Sequence, residues 1–208
     1  MHRRQFTRAL LAGAATAVAG SVARAQSAAL APVTIALVPF GGFATEALQD
    51  IAAGLRAGFG VEVVTSLAVG LPNPTWTVPH DRYDTEDLFE IARRFLISPA
   101  TRFLAVLDED VAPTAPAHCN WGLGDVDPRG GVISLARCRL HAPTVPQVHF
   151  RLVTGSLHVI GHSLGLAHCA NPSCLMTAAH GVTRTIDRTS GQLCSVCRTS
   201  PGLPPRRP

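Results

Sequence analysis

The sequence predicts one compact α/β domain, of the α+β kind, in which a mixed sheet is combined with helices. Short apolar runs rich in β-branched residues alternate with amphipathic segments of helical period. About 183 residues follow an N-terminal leader, a length that suits a single hydrophobic core. No internal repeat or long low-complexity linker divides residues 26–208. We therefore expect one folded domain over this range.

The order of the elements follows from the spacing of apolar residues. Strands are predicted at 33–38, 61–64, 102–107 and 132–135, and helices at 45–59, 85–97 and 144–164. Asp84 or Thr85 begins the second helix, and Pro146 lies in the first turn of the third. The acidic run 108–110 is typical of a solvated turn, with a calcium site as the alternative.

Residues 1–25 have the pattern of a secretory signal. Arg3 and Arg4 precede a mildly apolar run, and the small residues Ala23 and Ala25 predict cleavage before Gln26. The adjacent arginines resemble a twin-arginine export signal, which addresses proteins that fold before export. We expect a periplasmic or secreted bacterial protein with no membrane anchor once the signal is cleaved; retention as an uncleaved anchor is the alternative.

The charge of the chain does not indicate nucleic acid binding. The leader carries four arginines, which account for the whole formal net charge of +4. In residues 26–208 the number of arginines equals the number of acidic residues, and no basic run with interleaved aromatic residues appears among them. The partner we expect is a peptide or protein, bound by a monomer, and not a nucleic acid.

Three histidines near the end of the long predicted helix indicate a metal site. His158 and His162 are four residues apart, so their side chains stack on one helix face. Gly165 lets the chain leave the helix, and His168 can then return as a third ligand. Three protein nitrogens with one open position are typical of a catalytic zinc ion.

Four cysteines follow directly and predict a second metal site. They are Cys169, Cys174, Cys194 and Cys197, and the last two have the spacing at which both sulfurs reach one tetrahedral ion. Two disulfides in an oxidising compartment are the alternative for the same four residues.

The order HxxxHxxGxxHC, followed by one more cysteine, a methionine and CxxC, resembles the archaemetzincin family of zinc metallopeptidases. The resemblance implies a metzincin-like zincin domain that binds two zinc ions. His158, His162 and His168 would hold the catalytic zinc, and the four cysteines would hold a structural zinc in a C-terminal module. Met176 would form the turn beneath the active site, and the strand at 132–135 would form the edge above the cleft.

One position departs from the family pattern. Zinc peptidases with the HExxH motif have a glutamate after the first histidine, where it acts as general base. Here that residue is Val159, which cannot accept a proton. His180, after the methionine turn, is a candidate substitute base, and Asp187 is a candidate cap or support for a ligand.

Cys119 and Cys138 lie outside the metal pattern. Six cysteines in an exported protein divide into four ligands and one disulfide, which predicts a bridge between these two. Two unpaired, buried thiols are the alternative.

Three function classes stay open from the sequence. The first is a zinc metallopeptidase with reduced or altered activity. The second is a catalytically inactive pseudopeptidase that binds a peptide or protein partner. The third is a periplasmic zinc-binding protein, whose function would be to bind zinc at the open histidine site.

Overall fold

The computed structural model describes residues 33–73, 82–112, 123–141, 144–179, 182–201 and 203–204. Its strands are β1 Thr34–Pro39, β2 Glu62–Thr65, β3 Tyr83–Asp84, β4 Arg102–Leu107, β5 Val111–Ala112, β6 Gly124–Asp127 and β7 Gly130–Ser134. Its helices are α1 Thr45–Phe59, α2 Thr85–Arg93, α3 Leu135–Cys138, α4 Val145–Ser163, α5 Thr183–Asp187 and α6 Ser195–Arg198. The predicted leader, residues 1–25, lies outside the described residues.

Five strands form one mixed sheet in the order β2-β1-β4-β7-β6. The first four are parallel, and β6 runs antiparallel to β7 at the edge. The prediction of an α/β domain with a mixed sheet and a C-terminal cysteine cluster is therefore confirmed. A separate pair, β3 and β5, forms a short two-stranded sheet.

The two faces of the sheet are covered by different helices. On one face, Ile35, Leu104 and Ile133 belong to a buried cluster that also contains apolar residues of α1 and α4. On the other face, Phe103 and Val132 are buried together with apolar residues of α2. Helix α4 thus lies against the sheet on one face only, and its last turns carry His158 and His162.

Some boundaries match the predictions, and others differ. Helix α1 and strand β4 have the predicted ends, and the side chain of Asp84 caps α2 by accepting from the N–H of Glu86 at 2.9 Å. Helix α2 ends at Arg93 instead of Ile97, because residues 94–96 form tighter turns with carbonyls three residues back. The edge beside α4 is β6, so the prediction that residues 132–135 form the edge was wrong; Leu135 already begins α3.

The acidic run 108–110 is bound by arginines. Asp108 pairs with Arg139, and Asp110 pairs with Arg82 and Arg137. Because arginines pair with two of these carboxylates, the structure favours the predicted turn over the alternative of a calcium site. Within the described ranges, no helix is both long and apolar enough to cross a membrane.

Candidate metal centre

Helix α4 presents the first two histidines of the site. A capping box at its start joins Thr144 and Gln147, and a proline in its first turn needs no hydrogen-bond partner there. Nineteen residues later the helix ends at Ser163. His158 is fully buried and His162 partly buried, so both rings approach from inside the domain.

Main-chain carbonyls fix the orientation of these two rings. His158 Nδ1 lies 2.8 Å from the carbonyl oxygen of Leu175, and His162 Nδ1 lies 2.8 Å from that of Leu166. A carbonyl only accepts, so each Nδ1 carries the proton and donates. In the neutral ring the proton is then absent from Nε2, and the Nε2 lone pair is free to bind a metal ion.

The spacing of the two Nε2 atoms fits a shared cation. The Nε2 atoms of His158 and His162 lie 2.9 Å apart, although neither has a proton to donate to the other. Two lone pairs at this distance repel unless a cation lies beside both. Nitrogens bound to one tetrahedral zinc ion at the usual bond length lie about 3.3 Å apart, which is close to the observed spacing.

His168 completes the cluster from the segment after the helix. Gly165 has φ +89°, a left-handed conformation that glycine adopts without strain, and it redirects the chain out of α4. The ring of His168 is exposed, and its centroid lies 4.7 Å from that of His162. The three ligand nitrogens lie within 4.8 Å of one another, so the predicted histidine set is brought together.

Met176 lies beneath this cluster, as predicted. It is fully buried, and a β-carbon added to Gly161 would lie 2.6 Å from its sulfur. Gly161 directly precedes His162, so the methionine packs against the backbone of α4 between the two helical ligands.

The four cysteines form a second cluster. The sulfurs of Cys169 and Cys194 are 3.8 Å apart, as are those of Cys174 and Cys197. Four sulfurs around a tetrahedral zinc ion, with bonds of about 2.3 Å, are separated by about 3.8 Å. The geometry of the cluster therefore fits zinc.

Main-chain donors also surround these sulfurs. The N–H groups of Met176 and Cys194 donate to Cys174 Sγ at 3.5 and 3.4 Å, and that of Asn171 donates to Cys169 Sγ at 3.5 Å. Such bonds stabilise thiolates that bind a metal. A disulfide needs sulfurs about 2.05 Å apart, and all four residues are free cysteines, so the two-disulfide alternative is not supported.

The pKa values of His158, His162 and Cys194 suit a bound cation, whereas burial raises the pKa values of Cys174 and Cys197. Burial away from water holds the pKa of His158 well below its ordinary value and also lowers that of His162, so both rings are neutral near pH 7. A hydrogen bond from the main chain of Cys197 lowers the pKa of the Cys194 thiol to about 7. Burial raises the pKa of Cys174, which a metal ion would offset.

Val159 is fully buried beside the first ligand and faces the sheet. A β-carbon added to Gly131 of β7 would overlap Val159 Cγ1 and would also lie too close to the carbonyl oxygen of Asp125. The residue that stands where HExxH has its base is therefore packed against the sheet next to the edge strand.

The described carboxylates that follow residue 110 do not replace the missing base. Asp125 is opposite Val132 in the β6–β7 pairing, so its side chain lies on the α2 face of the sheet, away from α4. There it accepts a hydrogen bond from Thr85 at 2.7 Å, while Asp127 pairs with Arg93 of the same helix.

Asp187 is held by a buried arginine. Arg151 donates from Nε and Nη2 to the two carboxylate oxygens, at 2.7 Å each. Arg151 Nη1 also donates to the carbonyls of Cys138 and Leu140, at 3.1 and 2.9 Å. Asp187 is thus the last residue of α5, and its ion pair with Arg151 joins α5 to α4; of the two predicted roles, a helix cap is not seen, and the support of a metal ligand stays a prediction.

The remaining predicted residues have different outcomes. His180 and Cys119 lie outside the described residues, so the substitute base stays a prediction, whereas the state of Cys138 agrees with the alternative of unpaired thiols and not with the bridge. Cys138 is a free thiol, fully buried. His149 lies away from the histidine cluster and pairs with Asp50 of α1 at 2.8 Å.

The sequence reasoning missed the groups that orient the ligands. The carbonyls of Leu175 and Leu166 are main-chain atoms, so no side-chain pattern identifies them. Arg151 could have been found, because it precedes His158 by seven residues and therefore shares its buried helix face. A lone arginine at such a position needs a buried partner.

Comparison with known proteins finds similarity to archaemetzincins and to peptidase family M54. The model of Peptidase family M54 matches residues 125–200, which include both clusters. An archaemetzincin of Natronomonas pharaonis is 25% identical over 169 residues, covering 78% of this chain and 95% of that relative.

Two solved structures are similar over most of their length. The archaemetzincin of Methanopyrus kandleri has a TM-score of 0.64 and 24% identity, with 80% of this chain and 92% of that chain covered. The archaemetzincin of Archaeoglobus fulgidus, complexed with malonate, has a TM-score of 0.60 and 25% identity, with 80% and 99% covered. The fold is thus shared over 80% of this chain and over nearly all of each solved chain.

Proposed function

We propose that the chain is a member of the archaemetzincins, peptidase family M54, that is exported, binds zinc and peptides, and hydrolyses peptides little or not at all. It is a pseudopeptidase on this account. The observation that carries the proposal is Val159, buried against Gly131 at the general-base position.

Two zinc ions per chain fit the two clusters. His158, His162 and His168 would hold one ion with a position left open, and the four cysteines would hold the other with no open position. When bound, the first ion supplies a Lewis acid that can polarise a peptide carbonyl. The second ion supplies stability to the segment that carries His168.

Positioned proton transfer is the step for which the described residues offer no carboxylate at the position of Val159. Positioned general acid–base groups contribute about 10²- to 10⁴-fold to a rate. At about 1.4 kcal/mol for each factor of ten, this is roughly 3 to 5.5 kcal/mol of barrier. Asp125 and Asp127 lie on the far face of the sheet, and Asp187 is engaged by Arg151, so none of these three is placed to supply it.

The surface beside the histidines can still receive a ligand. An open groove of about 770 Å³ is lined by His168 of the histidine cluster and by Cys169, Cys194 and Cys197 of the cysteine cluster. The edge strand β6 pairs with β7 on one side and with no other strand among the described residues. Such an edge can bind an extended peptide by strand addition, so we propose a peptide or protein partner.

The export signal supports a location outside the cytoplasm. Arg3 and Arg4 begin a leader of the twin-arginine type, which is used by proteins that acquire their metal and fold before export. We propose that the mature protein starts at Gln26 and acts in the periplasm or outside the cell.

Metal analysis and peptide binding on one sample test the proposal. We expect two zinc ions per chain by mass spectrometry, together with binding of members of a peptide library that are recovered uncleaved. The matched control is His168→Gln, which we expect to retain one zinc ion, because the replaced side chain is exposed and belongs to one cluster only. Rapid cleavage that stops on adding chelator would overturn the pseudopeptidase.

A further inference from the structure

The histidine and cysteine clusters are built on one short segment of chain. His168 is the last histidine of the first cluster, and the next residue, Cys169, is the first cysteine of the second. The backbone position of either residue therefore limits the position of the other. An ion bound by Cys169 restricts the segment that must bring His168 to the first two histidines.

The segment that follows Cys169 is closed by its own hydrogen bonds. The N–H of Cys169 donates to the carbonyl of Met176 at 2.8 Å, and Cys169 and Thr177 form an isolated parallel bridge. Within the resulting loop, the N–H of Cys174 donates to the carbonyl of Asn171 at 3.0 Å. Residues 169–176 thus form a compact loop with a cysteine ligand near each end.

Leu175 connects this loop to the first histidine. Its carbonyl accepts the Nδ1–H of His158 and so sets the direction of the free Nε2. Its N–H donates to the carbonyl of Gln192 at 2.8 Å, two residues before Cys194. The group that orients His158 is therefore adjacent to Cys174 and is also tied to the chain that leads into the second cysteine pair.

From these contacts we infer that occupancy of the cysteine cluster regulates the metal affinity of the histidine cluster. This inference rests on the proposed function, since it assumes that the histidines bind zinc. Without a metal ion, the four sulfurs no longer cross-link the loop to residues 194–197, and the loop gains freedom. Binding at the histidines must then order Leu175 and His168, and the cost of that ordering weakens binding.

The size of the effect follows from the hydrogen bond to His158. Loss of a partner that orients a metal-bound histidine lowers metal affinity by about 10- to 100-fold. The same range applies here, because the carbonyl of Leu175 is the partner that becomes mobile. By reciprocity, an ion at the histidines must strengthen binding at the cysteines by the same factor.

Cobalt titration of metal-free protein tests the coupling. Thiolate-bound cobalt has a strong near-ultraviolet absorption that imidazole-bound cobalt lacks, so the two clusters are followed separately. In the double variant Cys194→Ser, Cys197→Ser we expect cobalt to bind the histidines about 10- to 100-fold more weakly than in the parent. Cys138→Ala is the control, since Cys138 belongs to neither cluster, and it should keep the parent affinity.

A reciprocal variant covers the case in which the double variant does not fold. His168→Gln removes an exposed ligand of the first cluster only, and cobalt should bind its cysteines more weakly by the same factor. Equal histidine-site affinity with the cysteine cluster filled or empty, or an unchanged cysteine site in His168→Gln, would overturn the inference. Failure of the proposed function has a different result: the parent histidines would bind no cobalt even with the cysteines filled.

Discussion

The ion pair between Arg151 and Asp187 predicts a large and measurable coupling free energy. The guanidinium is almost fully enclosed, with 4% of its side chain exposed, whereas the carboxylate is 23% exposed. We propose replacing Arg151 with methionine, Asp187 with leucine, and both together. Methionine keeps much of the unbranched stem of arginine and removes the charge and all four hydrogen bonds.

The expected magnitude follows from the exposure of each partner. Removing one partner of a buried pair costs about 3 to 5 kcal/mol. For Arg151→Met we expect the lower part of this range, about 3 kcal/mol, because water reaches the carboxylate left behind. For Asp187→Leu we expect about 4 kcal/mol, because the remaining guanidinium is enclosed. The double variant should lose about 2 to 3 kcal/mol less than the sum of the two.

Urea unfolding at one saturating zinc concentration measures these free energies. The surface pair of Arg94 and Glu90 is the control, since its side chains are 68% and 70% exposed and form an i, i+4 pair on a helix. Its coupling should not exceed about 0.5 kcal/mol. A coupling between Arg151 and Asp187 that is no larger than this control would refute the assignment of the pair as a buried link between α4 and α5.

Two further predictions concern buried positions near the core. Gly131→Ala should destabilise the protein by about 1 to 3 kcal/mol in thermal or urea unfolding, because the added methyl group would overlap Val159. A second substitution, Val159→Ala, should recover part of this loss. The absence of any recovery would contradict the packing of Gly131 against Val159. Burial raises the pKa of Cys138 to about 12 from 9.0, so the folded protein keeps this proton where the unfolded chain loses it. The free energy of unfolding should therefore fall as pH rises above about 9, by at most about 1.4 kcal/mol per pH unit, and less in Cys138→Ala. Equal slopes in the two proteins would contradict this, as would four free thiols in unfolded, metal-free protein, because that count would place Cys138 in a disulfide with Cys119.

The elements that the sequence predicted well are those with a strong apolar period. Helix α1 has apolar residues at helical spacing and ends before Gly60, whose φ of +68° closes it. Strand β4 is a continuous apolar run, which is typical of a strand buried on both faces. Both metal clusters were predicted in full, because the spacing of their ligands is local and the ligand chemistry is specific.

The elements that were missed depend on contacts that are distant in sequence. Strand β6 contains two aspartates, which argue against a strand, yet Asp125 and Asp127 are buried because Thr85 and Arg93 of α2 satisfy them. Helices α3, α5 and α6 have four or five residues, too few to show a helical period. Tertiary packing, which sets such short elements, is not visible in a local pattern.

The most direct test of the account is the rate of peptide cleavage by Val159→Glu beside that of the parent, both with two zinc ions bound. Val159→Gln is the matched control, because glutamine has a similar shape and no basic carboxylate. The account predicts that the parent and the glutamine variant are nearly inactive and that glutamate raises kcat/KM by about 10²- to 10⁴-fold. Chelator-sensitive cleavage by the parent that glutamate does not increase would contradict the central claim that Val159 removes the general base.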